Sequence, residues 1–113
     1  MPSPKDPTAP IRKKAAALPG VDEGVSCNQS SFKVGKRAFL YIGPGRKGVG
    51  FKAMFKLSES MSDAEARAAS TPERFEVGST GWVTTRFTAE EPLPEELWVR
   101  WLDESYTVAG GGS

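Results

Sequence analysis

Between Leu18 and Ile42 the chain changes from one periodicity to another, and this change limits what it can fold into. An apolar helical turn reaches Leu18 and meets Pro19-Gly20. Proline clashes with a helical backbone and glycine accepts positive φ, so a helix stops there. An acidic connector, Val21 to Gly24, comes next. Phe32 and Val34 then alternate with Ser31 and Lys33, as on a half-buried strand. Gly35-Lys36 is a short turn, and Phe39, Tyr41 and their alternating neighbours form a second strand.

The flanking segments extend this pattern. Thr8 can cap a helix with Pro10 in its first turn, and Ile11, Ala15 and Leu18 share one face of it, with Arg12, Lys13 and Lys14 off that face. Val49, Phe51, Ala53 and Phe55 alternate with Gly50, Lys52, Met54 and Lys56 as a third strand. Ser62 to Glu65 reads as a capping box that opens an Ala-rich helix ending near Ala69. Phe75 and Val77 give a fourth strand, and Gly78 to Gly81 a turn. In the fifth strand Val83, Thr85 and Phe87 oppose Trp82, Thr84 and Arg86. Leu97, Trp98, Trp101, Leu102 and Ser105 mark the buried side of a last helix, with Glu95 and Glu96 in its first turn, where the macrodipole favours acids. The order is helix, three strands, helix, two strands, helix. Short turns imply an antiparallel sheet, so the expected fold is a two-layer α+β domain with helices on one face and water on the other. Residues 10–109 form this single domain, between a disordered segment at 1–9 and a flexible tail at 110–113.

Composition narrows the chemistry. The 113 residues contain no histidine, which removes the commonest general base, metal ligand and nucleophile partner. With one cysteine, Cys27, the chain cannot close an internal disulfide or assemble a four-ligand zinc site, and the reading is no metal, no cofactor and a reducing cytoplasm. No cationic neighbour activates the Cys27 thiol in the sequence. No run approaches the ~18 apolar residues of a membrane span, and the N-terminus has no secretory h-region. Net charge is +1, but it is unevenly spread. Residues 1–56 hold 11 Lys/Arg and 3 Asp/Glu, whereas residues 57–113 hold 4 and 11. Such asymmetry suits a surface that attracts polyanions; it equally suits two faces that pair with each other.

Gly43-Pro44-Gly45-Arg46-Lys47-Gly48 matches a dinucleotide-binding glycine pattern letter for letter. The next residues, Val49 to Phe55, alternate like a strand instead of opening a helix. Pro44 also removes an N–H that a phosphate needs, so the segment reads as a hairpin loop. The candidate site is the basic set Lys33, Lys36, Arg37, Arg46, Lys47, Lys52 and Lys56, joined by Trp82 and Arg86. Lys33, Lys52 and Lys56 oppose core-facing phenylalanines, and Trp82 and Arg86 oppose Val83 and Phe87, so parity places them on the open sheet face or its loops. Cations beside an exposed aromatic are what nucleic-acid binding uses, with bases stacked and phosphates paired. The alternative is that Trp82 fills a shallow patch while the cations keep the face soluble. Glu95, Glu96, Asp103 and Glu104 read as a solvated helix face, and Trp98 and Trp101 as core.

Leu18-Pro-Gly-Val-Asp-Glu-Gly24 followed by Phe32-Lys-Val-Gly-Lys36 resembles the small bacterial proteins of the MmcQ/YjbR-like family. The resemblance resumes at Gly81-Trp82-Val83 and at Leu97 to Ala109, and spans roughly residues 11–109. It implies a frataxin-like (CyaY-like) α+β fold and a DNA-binding role. Frataxins bind iron on an acidic first helix; Arg12, Lys13 and Lys14 stand there in this chain, without an acid, which argues against iron. The resulting expectation is a non-catalytic binding module with DNA or another polyanion as its leading ligand. Its alternatives are a protein-interaction or small-ligand module and, further off, an enzyme without histidine.

Overall fold

Gly35, at φ 65°, reverses the chain between Val34 and Arg37 and closes the hairpin that the sequence pattern predicts. The computed structural model describes residues 7–26, 29–45, 50–78 and 80–110. Along them run α1 (Ala9–Ala17), β1 (Val21–Ser26), β2 (Gln29–Val34), β3 (Arg37–Pro44), β4 (Phe51–Lys56), α2 (Met61–Ser70), β5 (Phe75–Val77), β6 (Trp82–Phe87) and α3 (Glu95–Val108). The strands make a six-stranded sheet in the order β1-β2-β3-β4-β6-β5, with every neighbouring pair antiparallel. The fold is the expected two-layer α+β arrangement.

The core lies between the sheet and the helices. Phe32, Leu40, Ile42, Ala53, Phe55, Val83 and Phe87 are buried from the sheet, and Leu97, Trp98, Trp101, Leu102, Ser105 and Tyr106 from α3. Trp101 is the largest fully buried side chain and meets Phe55 and Phe75 edge-on, each at 6.0 Å between ring centroids. Such edge-to-face pairs add roughly 0.5–1.5 kcal/mol beyond the area they bury. α1 contributes Ile11 and Ala15, and Leu18 packs against the cluster. The Tyr106 hydroxyl donates to the Pro19 carbonyl and so ties the end of α3 to the end of α1.

Four local expectations are corrected. The acidic connector at Val21 is a strand: β1 pairs with β2 from Val21↔Val34 to Ser26↔Gln29, so four strands precede α2. As an edge strand it has one side open to water, where Asp22 and Glu23 are tolerated and discourage further pairing. The Ser62 capping box does not form, because α2 begins at Met61 and Ser60 takes the N-cap position. Gly43-Pro44 belongs to β3, opposite Lys52 and Phe51, and the Gly45 N–H donates to the Gly50 carbonyl at 3.0 Å. Finally, β3 is bulged. Phe32 pairs with Leu40 but Lys33 with Ala38, which leaves Phe39 as the extra residue. Phe39 and Leu40 are both buried, and alternation restarts from there.

Among the described residues, Gly50 is a tightly constrained glycine. It has φ 70°, and a Cβ there would lie 2.7 Å from the Phe87 carbonyl oxygen. No helix among the described residues is long and apolar enough to cross a membrane.

Candidate functional site

The open face of the sheet is built from the strand positions left over after the core is filled. Across its middle, Tyr41, Met54 and Thr84 stand in register on β3, β4 and β6. One row to one side, Lys56 pairs with Trp82; one row to the other, Lys52 pairs with Arg86. A half-buried, largely apolar strip is therefore flanked by cations on both sides. The Trp82 ring packs against Tyr41, with centroids 5.2 Å apart and planes tilted by 52°. Lys56 Nζ lies over the same ring, 5.4 Å from its centroid.

Charge on this face is mixed. Lys52 and Arg86 are like charges directly across a ladder, an unfavourable pairing. Glu76 relieves it from β5: Arg86 Nη2 reaches Glu76 Oε1 at 2.7 Å. Asp22 stands opposite Lys33 near the other edge. Lys33, Lys36 and Arg37 are exposed around the β2–β3 turn, while Lys52, Lys56, Trp82 and Arg86 are half-buried. Arg46, Lys47 and Cys27 lie outside the described residues.

Beside Trp82 the sheet splits. The β3–β4 ladder begins at Leu40↔Phe55, and one step further Phe39 and Lys56 no longer bond to each other. The Ser105 hydroxyl occupies the gap: it accepts from the Lys56 N–H at 2.7 Å and donates to the Phe39 carbonyl. A side chain from α3 thus satisfies two strand groups that would otherwise be buried without partners. At this split a cleft of about 430 Å³ opens, lined by Arg37, Ala38, Tyr41, Lys56, Trp82, Val108 and Ala109.

The structure brings together Arg37, Lys56 and Trp82 of the sequence-predicted set around this cleft, and Lys52 with Arg86 around a smaller hollow near Gly45. Tyr41, absent from that set, belongs to the site. In the sequence it shares parity with Phe39, and only the bulge sends the two residues to opposite faces, Phe39 against Tyr106 and Tyr41 against Trp82.

Glu104 is not part of a merely solvated face. Its Oε2 accepts from the Ser58 and Ser60 N–H groups at 2.6 and 3.0 Å, and its Oε1 from the Ser60 hydroxyl at 2.6 Å. Burial pushes this carboxyl up, but the hydrogen bonds from Ser60 and Ser58 outweigh it and leave the group below the usual carboxylate value. The carboxylate caps the start of α2 from another helix, the work expected of a local capping box. Among the described residues no group of three or more His, Cys, Asp or Glu side chains could hold a metal ion.

Comparison with known proteins adds a family and a fold. The family model for YjbR matches residues 16–108. The crystal structure of the Deinococcus radiodurans protein DR2400, assigned to the domain family DUF419, superimposes with a TM-score of 0.68 at 20% identity, covering 93% of this chain and 81% of that one. At that identity the likeness is one of fold. No curated protein matches the sequence.

Proposed function

The chain belongs to the YjbR family, and from the arrangement of its open sheet face we propose that it is a non-catalytic module that binds nucleic acid there. The observation that carries this reading is the Tyr41–Trp82 pair beneath Lys56, with Lys52 and Arg86 two rows away on the same face. Bases stack on such aromatics and phosphates meet such cations. The lysine over the ring is no obstacle. Lys56 and Trp82 are half-buried, so their cation–π contact lies between the roughly 0.5–1 kcal/mol of an exposed pair and the roughly 2 kcal/mol of a desolvated one, within the about 1–3 kcal/mol that a base stacked on an aromatic contributes. A base can therefore displace Lys56 and release its ammonium for a phosphate. The non-catalytic part rests on the absence of histidine and on the structural commitment of Glu104 to Ser58 and Ser60. A cytoplasmic location belongs to the same reading.

A second reading, a protein-interaction surface, draws on Glu76 and Asp22, which break the positive face at both flanks. Titration of a single-stranded DNA decamer and a duplex at two salt concentrations separates the two. Binding that falls with salt and with Trp82→Ala supports nucleic acid. No binding to either form at about 50 mM salt, where phosphate-driven association is strong, rejects it.

A further inference from the structure

We propose that the cleft at the split between β3 and β4 seats a single nucleotide unit, its base against Trp82 and Tyr41 and its phosphate on Arg37 and Lys56. This deepens the nucleic-acid reading of the face and rests on it. The first support is size. A volume of about 430 Å³ lies at the low end of small-ligand sites, about 300–1,000 Å³, with room for one unit and not for a stretch of strand. The second is the lining. Two aromatic rings and the apolar Ala38 and Val108 suit a planar base, and no carboxylate lines the cleft. The groove along α3 by Ser58 has a different character, because Glu59, Asp103 and Glu104 outnumber Arg100 in its lining and disfavour an anion.

The third support is the state of Arg37. Arg12 is held by Thr8 and Ser30, Arg67 and Arg100 by Asp63, Arg74 by the Arg86 and Glu91 carbonyls, and Arg86 by Glu76. Arg37 is the one described arginine whose side chain has no hydrogen-bond or ion-pair partner among the described residues, and it lines the cleft. Its planar fork of donors matches a phosphate in two places at once. The cleft also has a built-in spacer. Ser105 holds Lys56 and Phe39 apart where a direct strand bond would close the opening.

The unit can come from a free mononucleotide or from a residue of a strand, and the experiment separates them. The full chain, labelled with ¹⁵N, is titrated with AMP, adenosine, inorganic phosphate and a deoxyadenosine decamer. AMP is expected to shift the Ala38, Lys56 and Ala109 amides and the Trp82 indole. It should bind at least about tenfold more tightly than adenosine or phosphate alone, since a hydrogen bond to a charged group is worth a factor of that size. Arg37→Ala should lower AMP affinity by about tenfold and leave thermal unfolding unchanged, because the Arg37 side chain is exposed and has no partner among the described residues. If the decamer shows the same shifts and the same loss in Arg37→Ala, the strand residue is a source of the unit; if AMP alone does, the free nucleotide is. A decamer that binds through Trp82 while AMP leaves the cleft signals unmoved and Arg37→Ala changes nothing overturns the cleft and leaves the face reading standing. Silence from both AMP, up to about 10 mM, and the decamer overturns both.

Discussion

The Lys56 N–H donates to the Ser105 hydroxyl at 2.7 Å, although Lys56 lies in a strand and the facing Phe39 carbonyl belongs to the neighbouring one. A helix residue is thus inserted into the line of a sheet ladder. Ser105→Ala should leave both backbone groups without this partner and cost about 1–3 kcal/mol, the penalty for buried unsatisfied groups. Urea denaturation measures it. If the strands close instead, the loss is smaller and the Trp82 emission shifts as its surroundings tighten. An unchanged midpoint together with an unchanged spectrum would contradict the wedge.

Glu104 makes stability depend on pH in a defined direction. Its carboxyl is held lower in the fold than in the unfolded chain, so its contribution is fully present above the unfolded value of about 4.3. It is lost as pH falls through the lower folded value. Glu104→Gln should lower stability at pH 7 by about 1 kcal/mol, the scale of a lost helix cap. It should also flatten the melting-temperature profile below about pH 5 relative to the native chain. Parallel profiles for the two proteins would remove Glu104 from this role.

Gly50→Ala should destabilise the fold by about 2 kcal/mol or more, because a side chain there meets both left-handed strain and the Phe87 carbonyl. Gly35→Ala shares the strain but has open space, with nothing within 4 Å of the added Cβ, and should cost less. Thermal denaturation of the two variants ranks them, and the reverse order would disprove the steric account.

On the open face the cations should not be equivalent. Lys33→Ala and Lys52→Ala should each weaken single-stranded DNA binding at all sequences alike and reduce the salt slope by about 0.7. Arg86→Ala should do less, since Glu76 already neutralises part of that charge. Glu76→Gln should strengthen binding and steepen the slope. Fluorescence titration at several salt concentrations reads all four. A Glu76→Gln variant that binds more weakly would show that the Arg86 geometry, and not its charge, is what the ligand meets.

The parity of β4 and β6 was legible because neither strand is bulged: Ala53, Phe55, Val83, Thr85 and Phe87 fell inside and Lys52, Lys56, Trp82 and Arg86 outside, as alternation requires. The same rule failed on β3, where one extra residue at Phe39 reverses every face beyond it and hid Tyr41 from the site. β1 was hidden for another reason. An edge strand with acids on it lacks the apolar alternation that marks a half-buried one. The roles of Glu104 and Glu76 were out of reach, because their partners are chosen by tertiary placement: Ser58 lies 46 residues from Glu104, and Arg86 lies 10 from Glu76 across a ladder. The buried side of α3 was the easiest to read, since helical spacing alone gathers Leu97, Trp98, Trp101, Leu102 and Ser105.

All six strands precede α3 along the chain, yet α3 supplies Trp98, Trp101, Leu102 and Tyr106 to the core. During synthesis β1 to β4 therefore leave the ribosome with their greasy side bare, while β5, β6 and the helix that shelters the sheet follow later, close together. Until then Phe32 and Phe55 are open to any sticky surface nearby, including the same stretch of a neighbouring nascent chain. Slow codons placed just before Glu95 would lengthen that interval. The amount of protein recovered intact from cells should then fall, although the finished molecule is identical.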